Sequence, residues 1–198
     1  YAVSLLGSRR SAWSKNQFKV LLKVFEYGVH SCEIGLMYSK GLDPHGENEP
    51  YAYSDSNHRL PRSQGCRIVM LNGCAILFKS KKQTLTAPST CWAEATELFN
   101  ASTDVLGTRN LLTELGMRPD GPTKIYCDNQ ACIQIMNNRG SMGMSSRALE
   151  LRTLSMRNRI EDHQVEVEYC ETGIQVSDQG TKALAENPFV RLRDVMNG

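Results

Sequence analysis

What this 198-residue sequence lacks narrows its class before any motif is read. No apolar stretch approaches the roughly 18 residues that a membrane-spanning helix needs, and no basic-then-apolar leader opens the chain. The expectation is a soluble intracellular protein. Tyr1 stands where an initiator Met would, which suggests a segment of something longer. The seven cysteines are odd in number, include no Cys-x-x-Cys pair and mostly sit in apolar runs. A disulfide framework is thereby disfavoured, and reduced, buried thiols are expected. Lys and Arg number 23 against 21 Asp and Glu, a net charge of +2, so no global basic excess marks a nucleic-acid binder. Any such surface must be local. Internal repeats and low-complexity tracts are absent as well, which removes solenoid architectures.

What is present suits one compact core with a small appendage, since 40% of the residues are hydrophobic. From Ser14 to about Tyr27, Phe18, Leu21, Leu22 and Phe25 recur at helical spacing, and Ser14 with Gln17 fits a capping box. The polar run GLDPHGENE between Lys40 and Pro50 reads as a linker, which places a boundary between residues 1–48 and 49–198. Three strands are predicted next: Tyr51 to Asp55, Cys66 to Leu71 and Cys74 to Ser80. Asn72-Gly73 joins the last two as a hairpin turn, because both residues tolerate positive φ. Cys91 to Leu115 reads as a long helix with Ala95, Leu98, Phe99, Leu106, Leu111, Leu112 and Leu115 on one broad face, ended by Gly116. A short strand (Lys124 to Asp128), two helices (Asn129 to Met136 and Ser146 to Glu161), an alternating strand (Gln164 to Cys170) and two short helical pieces follow. This order predicts an α/β fold with a mixed sheet and helices on its faces.

Four acidic residues fall where strands end or helices begin: Asp55, Glu94 in the first turn of the long helix, Asp128 and Asp178. Singly, each has a plain structural explanation as a cap, a dipole partner or a turn residue. Together they have another. If the first and fourth strands are neighbours, strand-end carboxylates meet a helix-start carboxylate at one sheet edge. Such clustered charges repel unless a cation sits among them, and hard oxygen donors suit Mg²⁺ or Mn²⁺.

The segments YAYSDSN (51–57), FKSKKQTLTAPSTCWAEA (78–95), LLTELG (111–116), GPTKIYCDNQACI (121–133) and VSDQGTKAL (176–184) closely resemble the ribonuclease H region of copia-type LTR retrotransposon polyproteins. Upstream, the helix from Asn16 onward and GLMYSKG (35–41) look like the end of the reverse transcriptase region of the same polyproteins. The resemblance implies a ribonuclease H-like fold, a mixed five-stranded sheet flanked by helices, with a small N-terminal helical extension. It carries the family's metal-binding acids onto Asp55, Glu94, Asp128 and Asp178. Gln130 matches a position expected to touch the nucleic-acid minor groove, and Lys79, Lys81 and Lys82 could meet phosphates. The chain departs from the pattern in three places. Asn57 and His58 stand where an acid and an aromatic are common, Trp92 stands where another acid is frequent, and histidines are missing between Ser141 and Leu154. His58 reads as a loop histidine rather than a proton shuttle.

The implied activity is hydrolysis of the RNA strand of RNA/DNA hybrids by two Mg²⁺ ions, with Mn²⁺ as substitute. The implied partners are the hybrid and the remainder of a reverse transcriptase polyprotein, in cytoplasmic virus-like particles or the nucleus. A non-catalytic, degenerate ribonuclease H-like module is the alternative that the departures favour. A transposase or integrase relative would call for Glu in place of Asp178.

Overall fold

A computed structural model describes residues 1–8, 13–38, 45–137 and 147–198. Part of the expected linker, residues 41–44, and residues 141–146 of the stretch lacking histidines therefore lie outside the described residues. Two helices come first, α1 (Ala2–Gly7) and α2 (Lys15–His30), and the Ser14 N–H donates to Gln17 Oε1 at 2.9 Å as the capping box requires. The expected apolar face of α2 forms but stays largely uncovered, with Phe18, Leu22 and Phe25 exposed.

Five strands make one sheet: β1 (Tyr51–Asn57), β2 (Gln64–Leu71), β3 (Cys74–Lys82), β4 (Thr123–Cys127) and β5 (Val165–Tyr169), in the order β3-β2-β1-β4-β5. β1–β2 and β2–β3 pair antiparallel, β1–β4 and β4–β5 parallel, so the sheet is mixed as expected. The hairpin turn has φ of 51° at Asn72 and 80° at Gly73, both in the region that Asn and Gly tolerate best. β1 runs two residues past Asp55, because Ser56 and Asn57 still pair with Gly65 and Gln64. Asp55 therefore lies inside a strand instead of closing it.

Between β3 and β4 runs α3 (Thr90–Glu114). Ser89 Oγ caps it, so the helix starts one residue early and Glu94 falls on its second turn, not its first. Its end is a Schellman motif: Gly116 has φ 78°, its N–H donates to the Thr113 carbonyl, and the Met117 N–H donates to the Leu112 carbonyl. The buried face keeps Ala95, Leu98 and Leu112 of the one that spacing predicts but departs from it elsewhere. Leu111 and Leu115 are 57% and 61% exposed, whereas Ala93, Ala101, Ser102 and Val105 are buried. Small side chains let α3 lie close on the sheet, and at its far end Leu112 faces inward while Leu111 and Leu115 point to solvent. α4 (Gln130–Asn137) and α5 (Arg147–Glu161) share that face. Ala52, Val69, Ile125, Val165 and Val167 of the sheet meet Ala95, Leu98, Cys132, Met136 and Met156 there in the main core.

On the opposite face Tyr51, Cys66, Ile68, Met70 and Val176 form a second cluster near α6 (Asp178–Thr181) and α7 (Glu186–Asn197). Residues 1–38 touch this body at several points. Tyr27 packs edge-on against Phe189 at 5.6 Å, the Met37 N–H donates to the Asn197 carbonyl at 2.7 Å, and Ser4 Oγ donates to Gln64 Oε1 at 3.1 Å. All seven cysteines are free thiols, with Cys32 alone fully exposed. No helix among the described residues is long and apolar enough to cross a membrane.

Candidate metal centre

Parallel pairing of β1 with β4 sets the site. Ala52 lies opposite Ile125 and Tyr53 opposite Tyr126, and the two tyrosine rings stack at 5.3 Å. Side chains alternate along a strand, so two residues further on Asp55 and Asp128 arrive at one level on one face. Asp178, the first residue of α6, faces them, and ligand oxygens of Asp55, Asp128 and Asp178 all lie within 4.8 Å of one another. From the other side of the sheet, α3 brings Glu94 to the same edge, where Glu94, Asp128 and Cys127 Sγ also gather within 4.8 Å. Asp55, Glu94 and Asp128 line one pocket of about 470 Å³ together with Thr90, Asn129, Gln130 and Tyr169. The four acids anticipated from sequence are thus brought together.

These carboxylates are buried: Asp55 is 6% exposed, Glu94 3% and Asp178 4%. Burial, reinforced by the Asp178 and Asp128 charges, pushes Asp55 up to about 6, although the Thr181 hydroxyl donates to its Oδ2 and Lys182 opposes the rise. Burial and the neighbouring Asp55, Cys127 and Asp128 hold Glu94 well above the ordinary carboxyl range. Its Oε1 accepts the Ser56 N–H at 3.2 Å, while Oε2 is buried with no hydrogen-bond partner among the described residues. Asp178 Oδ1 is likewise buried and unpartnered there. Clustered carboxylates, raised proton affinity and two orphaned oxygens fit a hard divalent cation.

Asp128 is not a helix cap. Asn129 Oδ1 takes that part by accepting the Cys132 N–H at 3.0 Å, while Asp128 Oδ2 accepts the Thr172 hydroxyl at 2.8 Å. Gln130, on the first turn of α4, is exposed and lines the pocket. The lysines are less uniform. Lys79 is committed to Asp104 at 2.8 Å, whereas Lys81 and Lys82 stand exposed on edge strand β3, opposite Gly65 and Gln64 at the acidic end of the sheet. His58 is half-buried, and its Nε2 lies 3.0 Å from the Ala87 carbonyl. That acceptor demands a donating Nε2–H, so the ring anchors a loop. On α5, Arg157 holds the Ile135 carbonyl and Arg159 stacks on Phe99 at 4.8 Å, which are packing duties.

Three site residues escaped the sequence reading. Thr181 and Lys182 sit inside the quoted TKAL, but nothing in the sequence singles out their contacts. The Lys182 ammonium pairs with Asp178 Oδ2 at 2.7 Å; burial alone would lower its pKa, yet the Asp178, Asp55 and Asp128 charges raise it. Gln175 is fully buried, and its Nε2 donates to the Ser54 and Tyr126 carbonyls at 3.1 and 3.4 Å, clipping β1 to β4 just before each strand's carboxylate. Replacing Lys182 with Met removes a charge that holds Asp55 down. Metal-free Lys182→Met is therefore expected to melt lower than wild type at pH 7.5 and to gain more from added Mg²⁺; equal melting shifts in both proteins would refute the charge role.

No protein-family model matches the chain. In sequence it is 27% identical over 194 residues to the retrovirus-related Pol polyprotein from transposon RE1 of Arabidopsis thaliana, covering 96% of this chain and 13% of that protein. It is also 27% identical over 192 residues to the transposon Ty1-LR3 Gag-Pol polyprotein of Saccharomyces cerevisiae, covering 96% of this chain and 11% of the relative. The chain thus spans only a small part of the curated relatives it matches. Among solved structures, LC11-RNase H1 isolated from compost superposes with a TM-score of 0.51 at 14% identity, covering 67% of this chain and 91% of that one. In sequence the chain is thus similar to a part of retrotransposon Pol polyproteins, and its fold is ribonuclease H-like, a mixed five-stranded sheet flanked by helices.

Proposed function

We propose that this chain is a metal-dependent ribonuclease H that cleaves the RNA strand of RNA/DNA hybrids during reverse transcription of a retrotransposon. The observation that carries the proposal is the convergence of Asp55, Glu94, Asp128 and Asp178, from four separate elements, on one sheet edge. These four residues would hold two Mg²⁺ ions, which when bound lower the pKa of an attacking water and stabilise the leaving 3′ oxygen. The chain's own part is arrangement. Gln175 fixes β1 beside β4, Thr181 orients Asp55, and Thr172 orients Asp128. Gln130 at the rim is placed to meet a duplex groove, and Lys81 and Lys82 extend the same end of the sheet toward phosphates. Substrate choice would rest on duplex shape and 2′-hydroxyls, with little base preference.

All four acids are present and gathered, so a non-catalytic module has in its favour only the departures after Asp55, at Asn57 and His58, and the histidines missing between Ser141 and Leu154. The deciding experiment incubates labelled hybrid with the protein in Mg²⁺ and repeats it with Asp128→Asn. Wild type is expected to cut the RNA strand and the variant to leave it intact. A folded wild type that binds hybrid without cutting it, or a variant that cuts equally well, sinks the assignment.

A further inference from the structure

β4 carries two potential metal ligands in succession, and they point to opposite faces. Asp128 joins Asp55 and Asp178, while Cys127 turns toward α3 and is fully buried in the main core. There its Sγ lies within 4.8 Å of ligand oxygens from both Glu94 and Asp128. The Asn129 N–H donates to the sulfur at 3.4 Å, and Cys132 of α4 is buried in the same core cluster. Glu94 is 3% exposed, and its Oε2 has no hydrogen-bond partner among the described residues. One sulfur and two carboxylates at this spacing, with a second thiol behind, form a donor set unlike the all-oxygen cluster of Asp55, Asp128 and Asp178. Thiolate with carboxylate favours borderline and soft cations over Mg²⁺.

We propose that Cys127, Glu94 and Asp128 form a second, thiophilic cation site of the zinc class, distinct in chemistry from the hard-metal cluster but sharing Glu94 and Asp128 with it. Binding forms a metal–sulfur bond and releases the Cys127 thiol proton to solvent. Because two carboxylates are common to both sites, a zinc-class ion there withdraws them from Mg²⁺. Zn²⁺ or Cd²⁺ then acts as an antagonist of the hard metal rather than a substitute for it. That antagonism rests on the proposed function, whereas the binding itself does not.

The test titrates Cd²⁺ into the intact, reduced, metal-free chain without nucleic acid and follows the ultraviolet sulfur-to-cadmium charge-transfer band. Wild type is expected to show a band that saturates at one equivalent, and Cys127→Ser to lose it. Glu94→Gln and Asp128→Asn, which keep every thiol, are each expected to weaken Cd²⁺ binding about tenfold or more. Millimolar Mg²⁺ is expected to raise the apparent Cd²⁺ dissociation constant. No band, a band kept by Cys127→Ser, or a band lost only in Cys32→Ser, which marks adventitious binding at the exposed thiol, overturns the site. Should Cys127→Ser fail to fold, the two carboxylate variants decide, and unchanged Cd²⁺ affinity in both overturns it. A chain that binds Cd²⁺ this way yet never cuts hybrid would refute the nuclease reading alone.

Discussion

Asp55→Asn is expected to abolish hybrid cleavage while making the metal-free protein more stable, a pairing that a merely structural aspartate would not give. Burial and the Asp178 and Asp128 charges raise the Asp55 carboxyl from 3.8 to about 6. A folded-state pKa above the unfolded one means that folding favours the protonated form, so the acid destabilises the fold once ionised. The penalty is absent below about pH 4, grows as pH rises toward 6 and is complete above it. Its size is about 3 kcal/mol, the order that a shift of this extent implies for a group only 6% exposed. Glu94 pushes in the same direction. Asn keeps an oxygen for the Thr181 hydroxyl but carries no charge, so urea unfolding in chelator at pH 7.5 is expected to show the variant ahead of wild type. At pH 4 the gap is expected to close. With Mg²⁺ the ranking is expected to reverse, since only wild type gains cation binding, and activity is expected to fall on the order of a thousandfold or more. A variant less stable than wild type in chelator at pH 7.5 would contradict the origin assigned to the shift.

Arg67→Met is expected to produce the largest loss of stability. Arg67 lies on β2 facing α3, and its guanidinium bridges two acids of that helix: Nη1 donates to Glu97 Oε1 at 2.7 Å, and Nε donates to Asp104 Oδ2. The Arg67 and Glu97 side chains are 9% and 3% exposed. Asp104 retains Lys79 when Arg67 is gone, but among the described residues Glu97 retains only amide donors, Gln83 Nε2 at 3.4 Å and Asn100 Nδ2 at 3.3 Å. A buried carboxylate deprived of its cation costs about 3–5 kcal/mol. The Glu97 carboxylate lies directly over β2, where a Cβ on Gly65 would meet its Oε2 at 2.1 Å. Glu97→Gln added to Arg67→Met removes the stranded charge and is expected to recover part of the loss. Denaturant midpoints showing the double variant no better than the single one would place the cost in lost packing instead.

The element order from α2 onward was legible because each element rests on a local signal, whereas the four acids were carried by the ordered motifs around them, since Asp55 does not close its strand and Glu94 lies a turn deeper than expected. Asn72-Gly73 fixes a hairpin, Gly116 ends a helix, and alternating or helical spacing separates β5 from α5. The buried face of α3 was less legible. Leucine spacing points to Leu111 and Leu115, but burial depends on how far the sheet extends beneath the helix, which no local window contains. The Arg67–Glu97–Asp104 network was hidden for a related reason. Charged residues read as surface until their partners are known, and these partners come from a strand and a helix distant in sequence. Gln175 and Lys182 gave no distinguishing signal either, since their value lies in contacts with Ser54, Tyr126 and Asp178 that exist only in the folded chain.

Parallel strands cannot be joined by a tight turn, so β1 must wait for β2, β3 and the whole of α3 before β4 can lie beside it. Such pairings have high contact order and consolidate late in folding. The edge that gathers the four carboxylates thus depends on a long-range pairing, and a chain in which β4 had not docked beside β1 would hold Asp55 and Asp128 apart.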